Sequence, residues 1–426
     1  MSDRPNVLMV ICHDLGQHLG CYGVPGVPSL SLDWMAERGV RFANYFGGST
    51  PCSPSRGCIM TGRYAHTNGL IGLAHRGFSL NDDERTLAHD LADAGYGTYL
   101  FGFQHEALWN TPERLGYRHV WRETTVADRV AAEVGRFLRS DDAGRGPFFA
   151  VAGFHEVHLT FQNPRYVPDR PEDVFVPPWL DDTIHNRREL ARFNGPIRFM
   201  DQAVGQIMNT LDHSGLAENT LFIFTTDHGM AFPRAKSTLY DPGIGTALLM
   251  NWPGRIAPES VREDLLSNID FAPTVLQACG APVPERMEGR SFLPLLTGEG
   301  AYEPRSEVFS EKNFHDHYDP MRAIRTGRYK YIRSYEPRPR LLLPSDIEVS
   351  EPGRYLPVSA AEPRPMEEFY DLESDPAELT NLADDPAIEA AKRDLAARLD
   401  GWMAATADPL LAGPILAPEG AIVNDV

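Results

Sequence analysis

Cys52, Pro54 and Arg56 stand two residues apart in the run Thr50-Pro51-Cys52-Ser53-Pro54-Ser55-Arg56-Gly57. An ionised thiol is a nucleophile. A guanidinium is a permanent cation whose forked donors match sulfate or phosphate oxygens. Proline fits the first turn of a helix, where its missing N–H costs nothing, and Gly62 suits a helix C-terminus. A helix over residues 55–61 is therefore expected. It puts Cys52 at a helix N-terminus, where unpaired N–H groups and the dipole favour anions. Attack on an anionic group is the chemistry this spacing allows. A buried thiol ahead of an ordinary helix is the plain alternative.

Other reactive side chains recur in one setting. Short apolar runs at 7–12, 98–102, 148–153 and 220–225 read as buried strands. Each ends just before a polar cluster: His13-Asp14, Phe103-Gln104-His105, His155-Glu156-Val157-His158 and Asp227-His228-Gly229. Imidazoles and carboxylates of this kind hold divalent metals or move protons. Taken singly, helix-capping aspartates and structural histidines are the alternatives. Lys236 adds a cation, or else an ordinary solvated charge.

The elements that must position these residues alternate. Helical patterns occur at 29–38, with a serine cap and Gly39 behind it, at 86–94, at 126–138, from about 187 to 213 with a stop at Gly215, and at 270–278. A further strand is expected at 247–251. This order predicts an α/β fold of the doubly covered kind, a large and mostly parallel sheet flanked by helices. In open α/β sheets, ligands bind beyond the C-terminal ends of the strands. His13, Asp14, His105, His158, Asp227 and His228 are thus expected at one rim. After about residue 305 the texture changes. Strands at 307–310, 323–326 and 329–333, a proline- and charge-rich excursion over 334–366 and a helix over 386–411 predict a smaller antiparallel sheet with a covering helix. The expected division is a catalytic domain over 1–305 and a smaller α+β domain over 306–426. Pocket-lining and plain loop roles both stay open for His66, His75, Arg76, His315 and His317.

The chain has 426 residues, 42% apolar and 23% charged, which suits a soluble globular protein with room for two domains. Its 40 basic and 59 acidic residues give a formal net charge of −19. That argues against nucleic-acid partners and against docking on anionic membranes. A small anionic substrate drawn into a local cationic pocket is expected in preference to a long polyanion. No apolar run approaches the length of a membrane span, and the first six apolar residues are too short for a signal peptide. The cysteines at 12, 21, 52, 58 and 279 show neither disulfide nor metal spacing. Free thiols and a cytoplasmic location are expected, and homo-oligomerisation stays open.

Cysteine, any residue, proline, any residue, arginine resembles the nucleophile signature of type I sulfatases, in the alkaline-phosphatase-like superfamily. Residues 6–16 resemble that family's first strand and metal-binding acidic pair, and residues 95–105 its second signature. Thr226-Asp227-His228-Gly229 resembles its metal-binding aspartate, and Lys236, with Tyr240 and Gly243 behind it, its sulfate-contacting lysine. Residues 368–383 resemble its C-terminal stretch. Asn68-Gly69-Leu70 and Pro320-Met321-Arg322 look most like the heparan N-sulfatase (sulfamidase) branch. The resemblance implies that Cys52 is converted to formylglycine before folding, by a formylglycine-generating enzyme. The hydrated aldehyde attacks sulfur with one hydroxyl and expels sulfate with the other. It also implies one divalent metal, calcium in the family, held by His13, Asp14, Cys52, Asp227 and His228. Arg56 and Lys236 would hold sulfuryl oxygens, His105 would assist the nucleophile, and His158 would protonate the leaving group. The implied activity is hydrolysis of a sulfate ester or sulfamate of a small saccharide. The rivals are a phosphodiesterase or phosphonate monoester hydrolase and, from another class, a catalytically silent sugar-binding protein.

Two positions depart from the family pattern. His13 replaces an aspartate, and Phe103 replaces the lysine of the second signature. One change removes an anion from the metal shell; the other removes a cation near the sulfate. Calcium prefers oxygen ligands. A shell with His13 and His228 suits manganese, zinc or iron at least as well, unless His13 stands aside from the metal.

Overall fold

The computed structural model describes residues 4–426. Strand β1 (Asn6–Cys12) is buried along its whole length. Its side chains alternate between two cores: Leu8, Val10 and Cys12 enter one, and Val7, Met9 and Ile11 the other. A strand apolar on both faces belongs inside a sheet that is covered on both sides. Around it lie β2 (Val40–Phe42), β4 (Gly97–Gly102), β5 (His119–Trp121), β6 (Phe148–Gly153), β7 (Thr220–Thr226), β8 (Leu248–Asn251) and β9 (Ser260–Arg262), while β3 (Tyr45–Phe46) and β10 (Leu266–Ser267) form a separate pair. The sheet order is β5-β4-β6-β1-β7-β8-β2-β9. Only β8 runs against its neighbours. Helices Ala127–Leu138 and Ile184–His213 cover one face, and helices Cys52–Thr61, Leu87–Asp93 and Phe271–Ala278 the other. The expected class, a mostly parallel sheet between helices, is the one observed.

Several boundaries move for physical reasons. The helix carrying the nucleophile starts at Cys52, because the Ser55 N–H already donates to Pro51 O at 2.9 Å. Pro54 sits within that first turn, where it lacks no bond. Gly62 ends the helix in the left-handed region, at φ 67°. The long helix begins at Ile184, earlier than its apolar pattern suggests, because the Thr183 side chain accepts from the Asn186 N–H. The helix expected over 386–411 stops at Ala405, and Asp408 starts a separate turn by accepting from the Leu410 N–H. The excursion over 334–366 contains two helical turns, Ser345–Glu348 and Glu351–Arg354. Among the described residues no helix is long and apolar enough to cross a membrane.

The second sheet is antiparallel, in the order β11 (Glu307–Phe314), β12 (Tyr318–Thr326), β13 (Tyr329–Ser334) and β14 (Glu367–Asp371). Helix Glu389–Ala405 covers it through Leu395, Leu399, Trp402 and Met403. That cluster also takes in Cys58 of the nucleophile helix, with Tyr64 and Ala65 just behind it.

Glu311 ties the two sheets together. Its N–H donates to Gly48 O at 3.0 Å, and its carbonyl accepts from the Thr50 N–H at 3.1 Å. Its buried carboxylate accepts from the His66 N–H at 3.0 Å and lies 2.9 Å from His66 Nδ1 and 3.5 Å from Arg322 Nη2. Burial opposes its ionisation, but His66 and Arg322 outweigh this and bring it down to about 2. A carboxyl held low contributes stability that is present above the ordinary glutamate range and is lost as pH falls toward the folded value. Glu311→Gln is therefore expected to cost about 3 kcal/mol near pH 7 and progressively less toward pH 2. Urea unfolding of both proteins across this range measures the difference. A gap that stays constant with pH would contradict this account of the joint.

Candidate functional site

Strands β4, β6, β1 and β7 are consecutive neighbours in the large sheet. They end level, with Gly102 opposite Gly153, Ile11 opposite Gly153 and Cys12 opposite Thr226. The polar residues after each strand therefore emerge side by side. The helix that begins at Cys52 is fixed against this rim. Ser55 Oγ donates to Asp227 O at 2.5 Å, and Asn268 Nδ2 donates to Ser55 Oγ at 3.0 Å. Asp14 adopts a left-handed backbone, φ 53°, with its N–H donated to Asp227 Oδ1 at 3.0 Å. Beyond His228 the chain presses against the Pro242–Gly243 backbone. A Cβ on Gly229 would stand 1.8 Å from Pro242 O, so only glycine passes there.

His13, Asp14, Cys52, Asp227 and His228 each present a ligand atom, and these atoms all lie within 4.8 Å of one another. His13 Nδ1 is 2.7 Å from Asp14 Oδ1 and 3.3 Å from Asp227 Oδ2. His228 Nε2 is 3.0 Å from Cys52 Sγ and 3.1 Å from Asp14 Oδ1. His228 Nδ1 lies 2.9 Å from Gly229 O, which leaves Nε2 free to face the cluster. Burial resists charge here, yet Asp227 and Asp14 raise the basicity of His228 well above the ordinary imidazole range. Against the same burial, Lys236 and the neighbouring imidazoles hold Asp14 well below the usual carboxylate range. Asp227 is likewise brought down to about 2 by His13, His228 and Arg56. Two ionised carboxylates that draw positive charge to one buried point, with imidazole nitrogens beside them, fit a divalent ion. Burial lifts the Cys52 thiol above its ordinary value despite His228 and Lys236. An un-ionised thiol is a poor nucleophile.

Cations line the other side. Arg56 is buried, donating Nε to Asp227 Oδ2 at 3.0 Å and Nη2 to Cys12 O at 3.2 Å. Its Nη1 has no protein partner among the described residues. The Arg56 guanidinium carbon lies 5.1 Å from the Phe103 ring centroid. The residue that departs from the signature lysine thus gives Arg56 an aromatic face. Lys236 Nζ donates to Asp14 Oδ2 at 2.7 Å and to Asp346 Oδ2 at 2.6 Å. Although burial disfavours its charge, those two carboxylates keep it protonated well above the usual lysine range. His158 Nε2 stands 3.2 Å from Lys236 Nζ and 3.7 Å from Asp14 Oδ2.

His105 lies one layer out. Its Nε2 is 2.9 Å from His75 Nδ1, its ring faces Phe103 and His13, and no bond joins it to Cys52. Burial, with His13 and His75 nearby, holds it well below the ordinary imidazole range. His66 belongs to the Glu311 joint, and Arg76 pairs with Asp316 at 2.6 Å. His315 is buried against Asp316 at 2.9 Å, and His317 Nδ1 lies 3.2 Å from Asn424 O. Two residues near the reactive cluster fall outside the six that the sequence places at the rim. Asp346 comes from the excursion, where nothing in the local pattern marks it. His155 packs against Phe103 and His158; its place after β6 was the available signal.

A family model described as Sulfatase matches residues 5–281. A second, described as the C-terminal part of N-sulphoglucosamine sulphohydrolase, matches residues 228–342. Human N-sulphoglucosamine sulphohydrolase is 30% identical over 475 residues, covering 96% of this chain and 92% of the relative. A protein solved in complex with its substrate D-glucosamine-2-N,6-O-disulfate superposes with a TM-score of 0.75 at 19% identity, over 96% of this chain and 99% of that one. The phosphonate monoester hydrolase of Agrobacterium radiobacter superposes with a TM-score of 0.74 at 21% identity, over 99% of this chain and 100% of that one.

Proposed function

The chain belongs to the sulfatase family, and from that premise we propose that it releases sulfate from an ester or sulfamate of a small amino sugar, with residue 52 as nucleophile. The observation that carries the reading is Cys52 Sγ at a helix N-terminus, inside a buried cluster that Arg56 and Lys236 complete. The amino sugar is suggested by the names of the human relative and of the substrate solved with the structural neighbour.

Residue 52 acts as formylglycine, the form that membership of the sulfatase family implies for this cysteine. Asp14, Asp227 and His228 Nε2 would hold the divalent ion, with His13 Nδ1 as a further donor. When bound, that ion supplies Lewis-acid polarisation and neutralises charge on the sulfuryl group. With two imidazole nitrogens among the donors, manganese or zinc fits better than calcium. Arg56 turns its unpartnered Nη1 to a sulfuryl oxygen, and Lys236 Nζ holds another, so the negative charge meets preorganised donors. His158 Nε2, beside Lys236, carries the proton to the departing oxygen or nitrogen. Phe103 gives the Arg56 guanidinium an aromatic face, and His105 packs against Phe103.

The test uses protein matured in the presence of a formylglycine-generating enzyme and assayed on an aryl sulfate, an aryl phosphodiester and glucosamine N-sulfate. The best sulfate or sulfamate is expected to exceed the phosphodiester by at least about tenfold in kcat/KM. A phosphodiester turned over fastest would replace this reading with the phosphodiesterase one.

A further inference from the structure

The turn that carries Lys236 borders a small cavity where the large domain meets the second sheet. Arg234, Lys236 and Ser237 line it on one side, Lys312 of β11 and Asp319 of β12 on another, and Arg364 of the excursion on a third. Its volume is about 20 Å³. That holds one particle of about a water's size and excludes a sugar.

The walls carry more positive than negative charge. Lys312, Asp319 and Arg364 are all buried. Lys312 Nζ donates to Asp319 Oδ2 at 2.7 Å, and Arg364 Nη1 donates to the same oxygen at 3.2 Å. One carboxylate thus serves two cations. Arg234 is a third cation. Its Nη2 donates to a backbone carbonyl, Glu378 O, at 2.6 Å, and no carboxylate pairs with it among the described residues. Glu368, buried behind Tyr240 and accepting from its hydroxyl at 2.8 Å, is the one further carboxylate without a cation of its own. The remaining neighbours balance. Arg340 lies 3.3 Å from Glu362, Arg76 pairs with Asp316, and Lys330 and Arg325 meet Asp241 and Glu378. At the reactive centre, Asp14, Asp227 and Asp346 face Arg56, Lys236 and His228, whose basicity those carboxylates raise. Three cations around the cavity therefore meet two carboxylates. The Nε groups of Arg234 and Arg364 are also buried without a protein partner among the described residues, and a buried donor left unpaired is costly. Burial, with Arg364 beside it, pushes Lys312 below the usual lysine range despite Asp319.

We propose that this cavity binds one monatomic anion of the chloride class, which neutralises the spare cation among Arg234, Lys312 and Arg364 and braces the turn that carries Lys236. A water molecule there would satisfy N–H groups but not the charge. Arg234 and Ser237 hold left-handed backbones, at φ 64° and 67°, which side chains other than glycine disfavour; the turn between them needs fastening. Only the effect on Lys236 rests on the sulfatase reading, and anion binding does not.

The experiment compares metal-loaded protein in sodium chloride, bromide and gluconate at equal ionic strength. Gluconate is too large to enter. Melting is expected about 3 °C higher in roughly 0.1 M chloride or bromide than in gluconate, and the KM for the best sulfated probe about fivefold lower. Lys312→Gln removes the spare cation and leaves Asp319 to Arg364, so both differences are expected to vanish. Crystals of the wild type grown from bromide are expected to show an anomalous peak between Lys312 and Arg364, which decides the matter even where Lys312→Gln fails to fold. Equal melting in the three salts, a salt difference that Lys312→Gln retains, or water only in the cavity overturns the proposal. A bromide peak without a melting difference, an adventitious ion only, does the same, and a KM indifferent to the salt overturns the coupling to Lys236. Melting and diffraction need no turnover. A protein that binds bromide here and hydrolyses no sulfate therefore counts against the sulfatase reading and not against the anion site.

Discussion

Cys52→Ala is expected to lower turnover by at least about four orders of magnitude while the protein keeps its melting temperature. The residue is 2% exposed, with Sγ 3.0 Å from His228 Nε2 and 3.9 Å from Asp14 Oδ1. The helix that starts there is begun by the bond from the Ser55 N–H to Pro51 O, which no side chain at position 52 supplies. Alanine therefore removes the reacting atom and little else. Intact mass of the wild type completes the measurement, because formylglycine is about 18 Da lighter than cysteine. Activity in Cys52→Ala near the wild-type level would end the mechanism, whatever the mass.

Asp227→Ala carries the second large effect. One carboxylate oxygen accepts the Asp14 and His228 N–H groups at 3.0 and 2.9 Å; the other accepts Arg56 Nε at 3.0 Å. Its removal strips a buried cation of its counter-ion, which costs about 3–5 kcal/mol, and takes one of two carboxylates from the cluster proposed to hold the metal. Elemental analysis is expected to fall from about one divalent ion per chain to none, alongside a lower unfolding midpoint. Asp346→Ala serves as the comparison. That residue meets Lys236 and lies outside the five-residue cluster but forms a second group with Asp14 and His158, so an ion that remains in Asp346→Ala belongs to the five-residue cluster. An Asp227→Ala protein with a full complement of metal would place the ion elsewhere.

What could be read in the sequence follows from burial. β1, β6 and β7 are covered on both faces, so they stand out as unbroken apolar runs, and the polar residue after each run lands on the rim. β2, β5 and β9 have three residues each, too few to show a period, and β14 begins among glutamates. The departure at Phe103 is visible in the sequence, but its use is not: a platform for Arg56 requires the loop after β4 to meet a helix nearly fifty residues earlier in the chain. Asp346 shows the limit most clearly. It reaches Lys236 across 110 residues of sequence, from a proline-rich stretch whose course is set by Glu351 clasping the long helix. No periodicity encodes such a return.

The joint at Glu311 also keeps time. The strand that closes over residues 48–50 is synthesised roughly 250 positions after Arg56, which at 5–20 residues per second is on the order of 10–50 s later. Until then the segment before Cys52 lacks the backbone bonds that seat it; afterwards the side chain is sealed under the rim. Any modification of this cysteine that needs an open chain is confined to that interval. Slower translation between the two segments widens it, and rapid folding of the second sheet shuts it.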